Sequence, residues 1–476
     1  MYDPSNQYRC TIIRGKSQKD MDNLLPAYAQ IISEICPCEK TVFSREFNTK
    51  LAEILGGETT KKTLDNHRTE VAGKLFGMYY EAPTGYEDEV YVYPGERTMK
   101  FLADQDQPAF FKDVCFKMQF PDGTTKFSTI AERVELGISI RQCCYLIEVL
   151  MEAQRMGIRL SKNDAGYYVL NSLDALKREA SPFEIVDAII KERNKGITSH
   201  TIGDPSKASS YNVQHINEQL NYLELANLII IDDDGMISLN PNEQTAIDIF
   251  SSHWDDAPMF DVSEYDTDTP SAKQYFQTSW DQYYSTLSSD AGRFSTSITA
   301  LISQSETSTD SGTSDGSLSV GGQDTVELGD EGERYVYEYE KQRVAQFNPR
   351  LANKVLSMGK TKGLGYDIQT VVAEPGDQTE FVRYIEVKAT KRVTAPDLND
   401  SQWLDTVNIT RNEWIAAQQH GAYYSIYRVY FVRGQVYMYV IDNPFKLFED
   451  DVLFITPTMY KMDFGSNAVK RVINIQ

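Results

Sequence analysis

Along the first half of the chain the apolar positions alternate between helical and strand spacing, and one order of elements recurs. The clearest copy spans 106–170. Helices are predicted over 108–120 and 128–134, with a turn over 135–139. A long helix follows over 140–156, with Cys144, Ile147, Leu150 and Met151 at three- and four-residue intervals. Strands are predicted over 157–161 and 166–170, around a polar turn. A second copy spans 181–239. Ser181 caps a helix that has Pro182 at its first position, a later helix covers 211–226, and the strands 227–232 and 236–239 flank Asp233-Asp-Gly235. A looser copy over 41–93 has helices at 44–55 and 61–75 and strands at 78–82 and 89–93.

The pattern then breaks. Residues 285–329 are rich in Ser, Thr, Gly and Asp and read as a flexible linker. The stretch before it, 251–284, holds eight aromatic residues from Trp254 to Tyr284 and reads as an arm able to dock on a domain. Beyond the linker a helix runs from Gly332 to about residue 346. A strand covers 365–372, a turn 375–377 and a second strand 381–388. The period of two along that strand puts Glu386 and Lys388 on one face, and a hairpin brings Asp367 beside them.

Composition narrows the class. Of 476 residues 41% are hydrophobic and 24% charged, which excludes a wholly disordered chain. The length suggests roughly three domains. No apolar run approaches the ~18 residues of a membrane span, and the first 14 residues lack the apolar core of a secretory signal, so a cytoplasmic protein without membrane association is expected. The six cysteines, Cys10, Cys36, Cys38, Cys115, Cys143 and Cys144, form no CxxC pair and no zinc-ligand spacing, and read as ordinary thiols. The net charge of −22 argues against a nucleic-acid partner until its distribution is considered. Residues 251–330 carry 14 acidic and 2 basic side chains, whereas 331–476 balance at 18 and 18. Basic faces on either side of the acidic segment remain available.

The recurring order, helix, turn, helix and hairpin, is that of a winged helix. Tandem winged helices commonly place a helix in the major groove of duplex DNA. In the first copy the groove-facing candidates are Lys61, Lys62, Asn66, His67 and Arg68. In the second they are Ser139, Arg141 and Gln142, with Arg159 and Lys162 on the wing. In the third they are Lys207, Ser209, Ser210, Asn212, Gln214 and His215. The bland alternative is a set of protein-interaction modules with polar surface helices, and the five histidines read as surface or capping residues.

The C-terminal pattern, Asp367, then 18 residues, then Glu386-Val-Lys388, carries chemistry. Two carboxylates held together favour a hard cation such as Mg²⁺, with Mn²⁺ able to substitute. The Val387 carbonyl adds a metal ligand. Lys388 orients and acidifies the attacking water or steadies charge on phosphorus. Glu333 offers a helix-borne acid. The reaction this set suits is phosphodiester hydrolysis. An isolated D…ExK is also met as an exposed ion pair, and the surrounding pattern decides between the two readings.

Gly332-Glu333, Gly365-Tyr-Asp-Ile368, Tyr384-Ile-Glu-Val-Lys-Ala-Thr390, Ile409-Thr-Arg-Asn-Glu-Trp414, Ala417 and Tyr424-Ser-Ile-Tyr-Arg-Val429 occur in order. This stretch, about 328–445, resembles the NO VEIN C-terminal-like family of the PD-(D/E)XK nuclease superfamily. The resemblance implies a restriction-endonuclease-like α/β domain with a central mixed sheet, with Asp367, Glu386 and Lys388 as its catalytic set and Glu333 as the helix-borne acid. Gln419 and Tyr423 have the QxxxY spacing of some nucleases of that superfamily, and Glu413 reads equally as a first-turn helix charge or as a functional group. Lys360, Lys362, Lys391 and Arg392 are candidate phosphate contacts. More faintly, the N-terminal half resembles the recognition regions of type IIS-like restriction enzymes.

The resulting expectation is a multidomain α+β protein. Winged-helix-like units cover 1–100, 101–175 and 176–250, an acidic arm and linker 251–327, and a nuclease domain 328–476. It would be a Mg²⁺-dependent endodeoxyribonuclease acting on double-stranded DNA, pairing as a homodimer on DNA and serving restriction or antiviral defence. Its rivals are a DNA-binding or scaffold subunit with partner subunits in a defence complex, and a transcription regulator. No GxxxxGK[ST] motif is present, so the chain brings no ATPase of that type.

Overall fold

A computed structural model of the chain describes residues 6–15, 18–55, 59–83, 89–202, 210–302, 324–359, 363–373, 380–400, 403–456 and 461–475. The chain divides into two compact units. The first comprises Met1–Met21, Ile31–Phe101 and Gln107–Thr296, the second Asp22–Gln30, Leu102–Asp106 and Ser297–Gln476.

The first unit is mainly helical, with two small antiparallel sheets. β1 (Cys38–Glu39), β2 (Tyr79–Pro83) and β3 (Val90–Pro94) lie in the order β1-β3-β2. Between β1 and β2 come the helix Lys40–Leu55, then Lys61–Asn66 running into a π-helical segment His67–Leu75, as the period predicts. Helices Gln107–Lys117, Phe127–Glu135, Gln142–Arg155, Pro182–Asn194 and Ser210–Leu225 likewise fall where their apolar spacing places them.

The second sheet differs from expectation. It joins β4 (Leu160–Ser161), β5 (Ile229–Ile231) and β6 (Met236–Leu239) in the order β4-β6-β5. The segment 166–170, predicted as a strand, is part of the helical segment Ala165–Leu170. A capping box is the cause. Ser161 Oγ accepts from the Asp164 N–H, while Asp164 Oδ2 accepts from the Ser161 N–H at 2.8 Å, which starts a helix directly after β4. β4 therefore pairs with a strand some 75 residues further on, and the second and third expected units share one sheet.

The acidic arm is folded into the first unit. Helix Pro270–Ser285 buries Phe276, Trp280 and Tyr284 against Ile130, Phe260 and Val262. Aromatic side chains of this size supply enough apolar area to hold an otherwise acidic segment. Much of the expected linker is structured too. Helix Ile298–Ile302 buries Leu301, and helix Asp324–Phe347 begins before Gly332. Residues 303–323 lie outside the described residues.

The second unit is built on a six-stranded mixed sheet of order β15-β12-β11-β9-β8-β7. Its strands are β7 (Leu356–Ser357), β8 (Ile368–Val371), β9 (Val382–Arg392), β11 (Tyr424–Val432), β12 (Gln435–Asp442) and β15 (Arg471–Ile475). β9 and β11 are parallel and the other neighbours antiparallel. A second sheet joins β10 (Asp405–Asn408), β13 (Leu453–Thr456) and β14 (Lys461–Phe464).

The period of two along β9 sorts its residues between two cores. Ile385 and Val387 join Val336 and Val344 of helix Asp324–Phe347 on one face. Tyr384 lies on the other, with Trp414, Ala416 and Ala417 of helix Arg411–His420. Glu386 and Lys388 share this second face. No helix among the described residues is long and apolar enough to cross a membrane.

Candidate active site

The β8–β9 hairpin assembles the site. Ile368 stands opposite Ile385, and the Asp367 N–H donates to Ile385 O at 2.8 Å. Beyond Asp367 the main chain leaves the ladder, and the side chain takes over. The Val387 N–H donates to Asp367 Oδ2 at 2.8 Å. In a strand the N–H and C=O of one residue point to the same edge, so the Val387 carbonyl faces the opening beside Asp367. Gly365 makes the departure feasible. Its φ is +74°, and a Cβ there would stand 2.5 Å from Asn412 O.

Glu386 is 4% exposed, and Lys388 Nζ lies 2.7 Å from its Oε1. The same ammonium lies 2.9 Å from Glu413 Oε2. Glu413 opens helix Arg411–His420 through a capping box with Thr410, and its Oε2 accepts from the Thr410 N–H at 2.9 Å. Two carboxylates, Glu386 and Glu413, thus meet one ammonium, whose charge also acts on Asp367.

The protonation equilibria reflect this crowding. Burial pushes the Asp367 carboxyl up, opposed by the Val387 N–H and the Lys388 charge. Burial also holds Glu386 well above the ordinary carboxylate range, with Asp367 and Glu413 adding to the rise. For Lys388 burial pulls downward, but the Glu386 and Glu413 charges prevail and raise it, so it remains an ammonium.

This donor set fits a divalent cation. With the carboxylates ionised, the cluster of Asp367, Glu386, Glu413 and Lys388 carries two excess negative charges. Among the described residues no three His, Cys, Asp or Glu groups converge closely enough to enclose a metal by themselves. Asp367, Glu386 and the Val387 carbonyl would supply three oxygen ligands and leave the rest to water, as Mg²⁺ usually requires. Glu333 reaches the region from the other side of the sheet. Its carboxylate lies against Gly359, where a Cβ would stand 2.1 Å from Oε2, and the neighbouring Met358 N–H donates to Asp367 O.

Other sequence candidates fall elsewhere. Gln419 is exposed on its helix, and Tyr423, also exposed, stacks on Phe381 at 5.4 Å. Lys391 and Arg392 are buried, Lys391 Nζ lying 3.2 Å from Asp106 Oδ2 and Arg392 Nη2 3.0 Å from Asn23 Oδ1, so they are not surface phosphate contacts. Lys360 and Lys362 lie outside the described residues.

In the first unit Lys61, Lys62 and Asn66 are exposed. Lys61 and Arg68 line an open cleft of about 900 Å³ with Ser44, Arg45 and Asn48. Arg68 is already engaged with Asn48 Oδ1 at 2.6 Å and Asp65 Oδ1 at 2.9 Å. Arg141 and Gln142, expected at a groove-facing helix start, are 2% and 1% exposed. The Arg141 guanidinium stacks 4.2 Å over Phe116 and donates to Phe116 O, because the first two-thirds of its helix is enclosed within the unit. His67 and His215, expected at the surface, are buried, and burial pulls His215 down to about 4. Lys162 is half-buried at the start of the helical segment after β4, and Gln214 is exposed, accepting from Arg14 at 2.5 Å. Lys207 and the Asn212 side chain lie outside what is described.

Residues 2–281, more than half of the chain, match the family model described as restriction endonuclease BpuJI, N terminal. The chain belongs to the restriction endonuclease BpuJI N-terminal family. Residues 332–441 match the C-terminal model of protein NO VEIN, in agreement with the resemblance drawn from the sequence motifs. Among solved structures, the BpuJI-type region is similar to one titled as pyrene- and phenanthrene-modified DNA in complex with the BpuJ1 endonuclease binding domain. Identity is 52% over 60% of this chain and 100% of that chain, with a TM-score of 0.56. No curated protein matches. The restriction-enzyme likeness of the N-terminal half is thereby borne out, as is the mixed α+β fold.

Proposed function

We propose that this protein is a metal-dependent DNA endonuclease of restriction type, whose first unit holds duplex DNA and whose second unit hydrolyses a phosphodiester. One observation carries the reading. Asp367 and Glu386 meet beside Lys388 where β8 parts from β9. The BpuJI family membership, and the DNA bound by the solved relative, support the DNA-holding role.

Asp367, Glu386 and the Val387 carbonyl would hold Mg²⁺ or Mn²⁺. When bound, the cation supplies positive charge at the scissile phosphate and a more acidic water. The Val387 N–H fixes the direction of Asp367 Oδ2. Lys388, held as an ammonium by its carboxylate neighbours, cannot serve as a general base. It orients the attacking water and offsets charge growing on the phosphoryl oxygens. Water adds to phosphorus as the bond to the leaving sugar oxygen breaks, the water releasing a proton to solvent and the leaving oxygen taking one up from it. One centre per chain cuts one strand, so a double-strand break takes two copies on the DNA or two successive nicks. Lys61 and Lys62, exposed at the start of helix Lys61–Asn66, would contact phosphate in the first unit.

The test is cleavage of several unmodified and methylated plasmid and phage DNAs with Mg²⁺ or Mn²⁺. Wild type runs beside Glu386→Ala and Lys388→Ala. Discrete fragments that vanish in both variants support the proposal, and their ends give the target. DNA binding without any cutting overturns it in favour of a DNA-binding subunit of a multi-protein defence complex.

A further inference from the structure

We propose that Glu413 is a positioning residue that takes over the Lys388 ammonium when Glu386 turns to a divalent cation. The inference rests on the reading of Asp367 and Glu386 as the cation ligands. Lys388 Nζ bridges Glu386 Oε1 at 2.7 Å and Glu413 Oε2 at 2.9 Å. A cation arriving at Glu386 competes with that ammonium for the carboxylate. The Lys388 side chain is only 21% exposed, so an ammonium displaced with no second partner would lose both its counter-ion and most of its water.

Glu413 removes that penalty, and it is built to stay in place. Its carboxylate accepts from the Thr410 N–H, and its own N–H donates to Thr410 Oγ1 at 3.3 Å. Both ends of the residue are therefore tied to the first turn of helix Arg411–His420. That turn in turn packs against Gly365, whose absent side chain leaves room for Asn412 O. Glu413 consequently serves as a fixed counter-ion, while Glu386 is the carboxylate left to exchange partners. The sequence shows only the T-x-x-E of a helix start. The second role arises because β9 delivers Lys388 to the same carboxylate.

Glu413→Gln separates the two roles. Glutamine satisfies the third position of a capping box as glutamate does, so helix start and melting temperature stay close to wild type, while the charge is lost. Mn²⁺ binding is measured by calorimetry on the full chain, with Asp367→Asn as the blank for cations held elsewhere on the acidic surface. We expect Glu413→Gln to weaken site-specific Mn²⁺ binding about 10- to 100-fold, the usual effect of losing a residue behind a ligand. In a Lys388→Met background the same substitution should have almost no effect, because the ammonium it serves is gone.

Equal effects in the two backgrounds, or no effect in either, overturn the role of Glu413 and leave the cation site standing. No site-specific Mn²⁺ binding by wild type overturns the cation site itself, and this inference with it. Should Glu413→Gln lower the melting temperature markedly, Lys388→Met alone carries the test, since it leaves the cap intact. Undiminished Mn²⁺ affinity in that variant supports competition for Glu386, and reduced affinity overturns it.

Discussion

Asp367 Oδ2 accepts the Val387 N–H at 2.8 Å, so this aspartate ends the β8–β9 ladder with its side chain and stands at the opening beside Glu386. Asp367→Asn preserves a side-chain oxygen for that hydrogen bond and removes the charge. The fold should survive, with melting within a few degrees of wild type. DNA cleavage should fall by about three orders of magnitude, the scale of losing about 4 kcal/mol of transition-state stabilisation. Stabilisation of the protein by added Mn²⁺ should disappear, which thermal melts with and without the ion will show.

The same pair sets a pH dependence. Asp367 and Glu386 have carboxyls raised by burial. Acids raised in the folded state bind more protons there than in the unfolded chain. Their contribution therefore favours the folded state in acid and is lost as pH rises through the raised values. A divalent cation needs the ionised forms and reverses that trend. The rise in melting temperature on adding Mg²⁺ should be small in acid and grow as pH rises through the raised values. A shift independent of pH would count against these two ligands.

Gly365→Ala should destabilise the second unit by about 1–3 kcal/mol. The position has φ +74°, and a Cβ would stand 2.5 Å from Asn412 O. Denaturant unfolding will measure the loss. Cleavage should fall further than stability alone accounts for, because helix Arg411–His420 would be pushed off the hairpin that carries Asp367.

In the first unit Lys112 Nζ is fully buried and meets Glu243 Oε2 at 2.7 Å and Thr296 Oγ1 at 2.8 Å. Asn227 Nδ2 donates to the other Glu243 oxygen at 2.7 Å. Lys112→Ala leaves a buried carboxylate without its cation. A loss of about 3–5 kcal/mol is expected, read by chemical denaturation.

DNA binding should distinguish the exposed from the enclosed cations. Lys61→Ala and Lys62→Ala should each weaken binding on any sequence and reduce the slope of log affinity against log salt by about one. Arg141→Ala should act through stability, since its guanidinium lies on Phe116 inside the unit. A change of sequence preference in Arg141→Ala with stability intact would reverse that assignment.

Most elements and the core of the site were legible in the order of residues alone. Helix spacing along 140–156 and strand alternation along 381–388 are local properties, because 3.6 and 2.0 residue periods are written into neighbouring side chains. The pairing of Glu386 with Lys388 needs only that alternation, and the approach of Asp367 needs only one hairpin. Features that depend on distant partners became visible only in the folded chain. Whether 166–170 forms a strand turned on the cap at Ser161 and on β6 being available to β4. Whether Arg141 and Gln142 meet solvent turned on what packs over their helix, which residue type cannot reveal. At Glu413 the residues alone leave a first-turn helix charge and a functional group equally open. Its place at the site required a parallel connection from β9 to β11 to set helix Arg411–His420 over Lys388, and long-range packing of that kind leaves no mark on the spacing of residues along the chain.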